Sequence, residues 1–120
     1  MKNCEVWNLY SGLLALRESD KEFPPRINDA RFKNLRLLKP YAEAYAEAQQ
    51  EIVKKYGVSV GDSGQYKISP EKIENYSGEM SELDCIENDI QLVRFPSSAL
   101  DGISLRPAEY DTLAELFDDN

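Results

Sequence analysis

The stretch between the Pro24-Pro25 pair and Gly57 constrains this chain most. Two consecutive prolines cannot continue a helix and fix an extended turn. Glycine is a natural helix stop. Between these marks the apolar residues recur at three- and four-residue spacing, which is helical periodicity. Residues 27–39 are predicted to form a helix with Phe32, Leu35 and Leu38 inward and Arg31, Lys33, Arg36 and Lys39 largely outward. Pro40 removes one backbone donor, so a kink is expected there, or a break followed at once by a new helix with Pro40 in its first turn. From Tyr41 to Tyr56 the pattern is again helical, with Tyr41, Tyr45, Ala48, Ile52 and Tyr56 on one face. Alanine and glutamate supply propensity there, and Lys54-Lys55 favour the negative end of the helix dipole. Tyr41-Ala-Glu-Ala and Tyr45-Ala-Glu-Ala form a tandem four-residue repeat, the mark of one helical face and not of a repeated domain.

The remaining elements follow from the same reading. Val6, Leu9, Tyr10, Leu13, Leu14 and Leu16 make residues 4–19 an amphipathic helix. Residues 57–64 hold three glycines with Asp62 and Ser63, so a mobile turn or loop is expected. Tyr66, Lys67 and Ile68 suit a short strand. Ser69 and Pro70 are expected to cap and open a helix that Ser77-Gly78 interrupts, with Met80, Leu83 and Ile86 continuing for another turn or two. Ile90, Leu92 and Phe95 are predicted as a strand closed by Pro96, and Ile103 and Leu105 as a second one after an Asp101-Gly102 turn. Pro107 opens a last helix with Tyr110, Leu113, Leu116 and Phe117 inward. The expected fold class is α+β: an N-terminal helical hairpin or bundle, a small antiparallel sheet and a C-terminal helix. No Gly- or Ser-rich linker divides the 120 residues, so residues 1–120 are expected to be a single domain.

Charge is unevenly distributed. Residues 1–25 carry three basic and four acidic side chains, for −1; residues 26–70 carry eight and five, for +3. Residues 71–120 carry three and thirteen, for −10, and the whole chain is at −8. A nucleic-acid-binding domain usually carries net positive charge, so direct nucleic-acid binding is not expected. No run of eighteen apolar residues is present, which argues against a membrane span. The N-terminal Met1-Lys2-Asn3-Cys4-Glu5 lacks the apolar core of a secretory signal. Cys4 and Cys85 lie far apart and make no disulfide framework. A reducing cytoplasmic setting is the expectation.

Histidine is absent, which removes the commonest general base and metal ligand. Gly61-Asp62-Ser63-Gly64 matches the sequence around the nucleophile of chymotrypsin-like proteases, but that chemistry needs a base beside the serine. A tight turn explains the same four residues. The acids Glu79, Glu82, Asp84, Glu87 and Asp89 do not follow calcium-loop spacing and read as a solvated face. Cys85 lies between Asp84 and Ile86-Glu87; negative neighbours disfavour a reactive thiolate, and buried filler is the expected role. Asn75-Tyr76-Ser77 is a formal glycosylation acceptor without a secretory signal to make it relevant. No catalytic residue, cofactor or metal ligand set is therefore expected, and no enzymatic activity.

Three surfaces remain as candidates for a partner. Arg26, Arg31, Lys33, Arg36 and Lys39 form a basic strip suited to phosphate contact, to pairing with the acidic half of the chain, or to a subunit contact. Tyr41 and Tyr45 head a tyrosine stripe of the kind found both in cores and at interface hot spots. Ala42, Ala44, Ala46 and Ala48 would let another helix approach closely, so a homo-oligomer is a further expectation. Glu79, Glu82, Glu87 and Asp89 could imitate spaced phosphates if they form a surface row.

Asn34-Leu35-Arg36 through Pro40, Ala44-Tyr45, Ala48 and Ile52-Val53-Lys54-Lys55-Tyr56-Gly57 carry a resemblance. Over residues 30–96 the chain resembles small uncharacterised proteins encoded by phages and prophages of Gram-positive and gut bacteria. The shared organisation is a helix with a Lys-Tyr-Gly stop, a glycine-containing turn, and an acidic second half, here Glu82-Leu83, Ile86-Glu87 and Ile90 through Pro96. The resemblance implies a phage origin and hence the host cytoplasm, with no catalytic signature to transfer. The expected function is that of a non-enzymatic phage or prophage accessory protein that binds another protein, in virion assembly. The alternative is an acidic inhibitor of a host defence or nucleic-acid-handling enzyme.

Overall fold

The computed structural model describes residues 1–18, 21–61 and 64–119. Helix α1 runs over Asn3–Ala15 and tightens into a 3-10 turn at Leu16–Glu18. The Glu5 carboxylate accepts the Lys2 backbone N–H at 2.8 Å and so closes the first turn. Val6, Leu9, Leu13 and Leu16, spaced three and four apart, are all buried. Pro24 holds the chain extended (φ −57°, ψ 155°), and Pro25 is the first residue of helix α2, Pro25–Tyr56. Proline suits that position because its missing N–H would have no partner there.

Helix α2 passes through Pro40 without a break. The expected alternative of two helices is therefore corrected to one of 32 residues, roughly 48 Å long at 1.5 Å per residue. The proline removes one backbone donor, but Leu38 and Ala42 on either side of it are wholly buried, and their packing holds both halves in register. Phe32, expected inward, is 39% exposed, whereas Leu35 and Leu38 are buried as expected and share the inward face with Ala30 and Asn34.

Helix α2 stops at Gly57, whose backbone is extended (φ −97°) and not left-handed. Close approach explains the glycine: a Cβ there would lie 2.6 Å from the Val53 carbonyl oxygen and 3.0 Å from Tyr66 Cβ. Residues 57–60, expected in a loop, form strand β1 (Gly57–Val60), which pairs antiparallel with β2 (Gln65–Ile68). Gly61 and Gly64 bound the connection with φ of +64° and +73°, a region glycine enters without steric cost. Asp62 and Ser63, the centre of the protease-like tetrapeptide, lie outside the described residues.

Ser69 and Pro70 lead into a turn, closed by Lys72 N–H donating to the Ser69 carbonyl at 3.0 Å, and helix α3 begins only at Ile73. It continues to Asp84 through Ser77-Gly78, so the expected interruption is absent; the Gly78 position faces open space, where glycine costs propensity without breaking the helix. The two strands expected at Ile90–Phe95 and Ile103–Leu105 do not form. Asn34 satisfies both backbone groups of Val93, its Nδ2 donating to the carbonyl and its Oδ1 accepting the N–H, each at 2.8 Å. Phe95 N–H donates to the Leu116 carbonyl at 3.1 Å, and its own carbonyl accepts from Asp118 at 3.0 Å. These partners replace a sheet ladder. A 3-10 turn at Ser97–Leu100, the Asp101-Gly102 turn (Gly102 φ +81°) and helix α4 (Pro107–Ala114) complete the chain.

The fold class is α+β, with helices at the N-terminus, one two-stranded antiparallel sheet and a C-terminal helix. The core lies between α1, the first half of α2, α4 and residues 90–105, around Leu13, Ile27, Leu38, Phe95, Leu113 and Leu116. Tyr110, expected inward with them, is 49% exposed and meets Phe117 edge-on at 5.8 Å. From residue 46 to residue 94, no described residue is buried. The second half of α2, the hairpin and α3 therefore form an arm that extends away from the core.

Candidate functional site

The arm is held by polar contacts between α2 and α3. Lys55 pairs with Glu79 at 3.0 Å, and the Tyr56 hydroxyl donates to the other oxygen of the same carboxylate. The Tyr45 hydroxyl donates to Asp84. Burial first, and then the Asp84 carboxylate, push the Tyr45 phenol up to about 12. Tyr45 is thus a buried strut between helices, the core alternative for the tyrosine stripe and not an exposed partner residue; its ring meets Trp7 of α1 at 6.1 Å. Tyr41, one turn earlier, is exposed. Ala42 is wholly buried and Ala46 and Ala48 partly so, which spends most of the small-residue stripe on contacts within the chain.

The acidic candidates do not form one free row. Glu79 is engaged as described, and Glu87 lies 3.4 Å from the Met1 amino group. Glu82 and Asp89 are exposed. Cys85, expected as buried filler, is exposed, at the C-cap of α3. Cys4 is partly buried. Among the described residues, no group of three or more acidic or cysteine side chains is placed to hold a metal ion.

Among the described residues, the basic strip pairs locally and not with the acidic half. Lys33 meets Asp29 at 3.0 Å and Lys39 meets Glu43 at 3.9 Å, both within α2 and both with exposed partners. Arg26 and Arg36 are exposed. Arg31, expected outward, is half-buried: its guanidinium lies 4.7 Å from the Phe32 ring centroid and 5.5 Å from that of Phe23, and donates to the Leu16 carbonyl at 3.3 Å. Burial, and next the charge of Arg17, lower its pKa. Arg17 is itself 6.0 Å from the Phe32 centroid. Spacing within α2 could not reveal Arg17, because it arrives from the end of α1.

The other feature missed from sequence is the hairpin surface. Val58 pairs with Lys67 and Val60 with Gln65, so the two valines share a face; they are 63% and 48% exposed. Tyr66 and Ile73 close by in the chain are also exposed. The alternation of residues 57–60 is short and sits among glycines, which is why it read as a loop. A separate depression of about 560 Å³ is lined by Leu100, Ile103, Leu105, Pro107 and Tyr110 together with Ser97, Asp101 and Asp111, and the Ser97 hydroxyl donates to Asp119. Among the described residues, no helix is long and apolar enough to cross a membrane. No family model matches the chain, and neither a curated protein nor a solved structure matches it significantly.

Proposed function

We propose that this chain is a non-enzymatic accessory protein of a phage or prophage that works by binding another protein, in virion assembly. The observation that supports the reading is the arm: a two-stranded hairpin with exposed Val58, Val60 and Tyr66, followed by exposed Ile73, on a part of the chain without a buried residue among those described. Two-stranded sheets are marginal in water and gain stability from further burial. A protein partner laid on the hairpin would supply that burial. Aliphatic and aromatic contacts of this kind depend little on salt, whereas rim charges do.

Paired affinity captures from host lysate, with the natural chain and with Val58→Thr/Val60→Thr, test this at low and high salt. A structural protein retained at high salt and lost with the double variant supports the reading. Identical captures by both chains overturn it. The second reading, an acidic inhibitor of a defence or nucleic-acid-handling enzyme, draws on exposed Glu82 and Asp89. It requires instead a basic partner released by salt and by charge reversal of Glu79, Glu82, Glu87 and Asp89.

A further inference from the structure

Between α1 and α2, Tyr10, Leu14 and Leu35 with Arg17, Arg36 and Lys39 enclose a depression of about 180 Å³. Leu35 is buried and Tyr10 and Leu14 are half-buried, so the inner part is apolar, while the three cations are exposed. Among the described residues, no carboxylate lines it. Among the described residues, neither Arg17 nor Arg36 forms an ion pair, and the Lys39–Glu43 contact of 3.9 Å is between two well-exposed groups, a weak arrangement. Arg31 adds a fourth cation nearby through the Phe32 ring it shares with Arg17. Like charges gathered this closely repel one another, and in a chain of net charge −8 the cluster is not a by-product of a basic composition.

We propose that this depression is a binding site for a phosphate monoester with a small apolar body, its phosphate held by Arg17, Arg36 and Lys39 and its body against Tyr10, Leu14 and Leu35. A phosphate monoester carries about −1.5 to −2 charges near neutrality, which matches three cations better than a single carboxylate does. Two guanidinium forks can each grip a pair of phosphate oxygens. The volume corresponds to about six waters and lies below the ~300–1,000 Å³ of sites for drug-sized ligands, so it suits a phosphate with a ring or short chain. A nucleic-acid strand would need cations spread along a track, with affinity rising with the number of phosphates neutralised. Here they converge. The assignment is independent of the partner-binding reading, which concerns the hairpin arm.

The test is a ¹⁵N–¹H NMR titration of the full chain with phenyl phosphate near neutral pH and moderate salt, with inorganic phosphate and benzyl alcohol in parallel. Saturable shifts should localise to residues 10–17 and 35–39. Arg17→Gln or Arg36→Gln should weaken binding at least about tenfold, the scale of one lost charge-assisted contact. Lys33→Gln, which removes the same charge from α2 outside the depression, should change it less than about twofold at this ionic strength. Unchanged amide positions elsewhere in each variant show that the fold is kept. Absence of saturable shifts overturns the site, as does a Lys33→Gln loss equal to that of Arg36→Gln, which would reduce the effect to net charge. Inorganic phosphate binding as tightly as phenyl phosphate overturns the assignment of an ester with an apolar body.

Discussion

Asn34 lies on the inward face of α2 at the spacing of Ile27, Ala30 and Leu38, and it is wholly buried. A polar residue at such a position needs partners, and both ends of this amide bond the backbone of Val93. Asn34→Ala leaves a donor and an acceptor of Val93 unpaired and should cost about 2–3 kcal/mol, read as a lower urea midpoint with an unchanged slope. The clue was present in the sequence as one amide within an apolar stripe, but its partner, 59 residues away, was not. Tyr45 carries a second test. Its phenol is raised above the unfolded value of 10.0, so the neutral form is favoured in the folded chain. The stability this contributes is complete below pH 10 and is lost as pH rises towards about 12. Ultraviolet titration should show a late-ionising tyrosine component, and Tyr45→Phe should reduce it by one tyrosine.

Helix contacts made at short range set the next level. A Cβ at Gly12 of α1 would lie 2.6 Å from Thr112 Oγ1 and 2.9 Å from Thr112 Cγ2 of α4. Glycine here permits close approach of two helices. Gly12→Val should destabilise by about 1–3 kcal/mol through overpacking, and Thr112→Ala in the same chain should recover part of the loss in thermal unfolding. Proline and glycine marks were reliable where local geometry decides, at Pro25, Gly102 and Pro107. They misled where packing decides, at Gly78 and in the alternative of a break at Pro40, both inside continuous helices.

The molecule measures 53 × 30 × 22 Å, an elongated shape that follows from one long helix with the core at one end. Burial is the main brake on local opening, so stability should be graded along α2. Hydrogen exchange should show α1, the first half of α2 and α4 opening only with global unfolding, and the hairpin and α3 exchanging faster. Equal protection in both regions would remove the distinction between core and arm. The same gradient bears on function, since a segment with little burial of its own can gain most from a partner.

By itself the sequence determined the helices, most of their ends and the apolar residues that form the core, because periodicity, proline and glycine act within a few residues of chain. It also determined the charge division and the absence of histidine chemistry. Only the tertiary structure decided that α2 crosses Pro40, that Asn34 takes the place of a β-ladder for residues near Val93, and that Tyr45 is a buried strut. It likewise decided that Arg17 of one helix end joins Arg36 and Lys39 of another around an apolar depression. Each of these depends on groups far apart in sequence, and no local preference encodes which distant group will satisfy a buried polar atom or gather beside a charge.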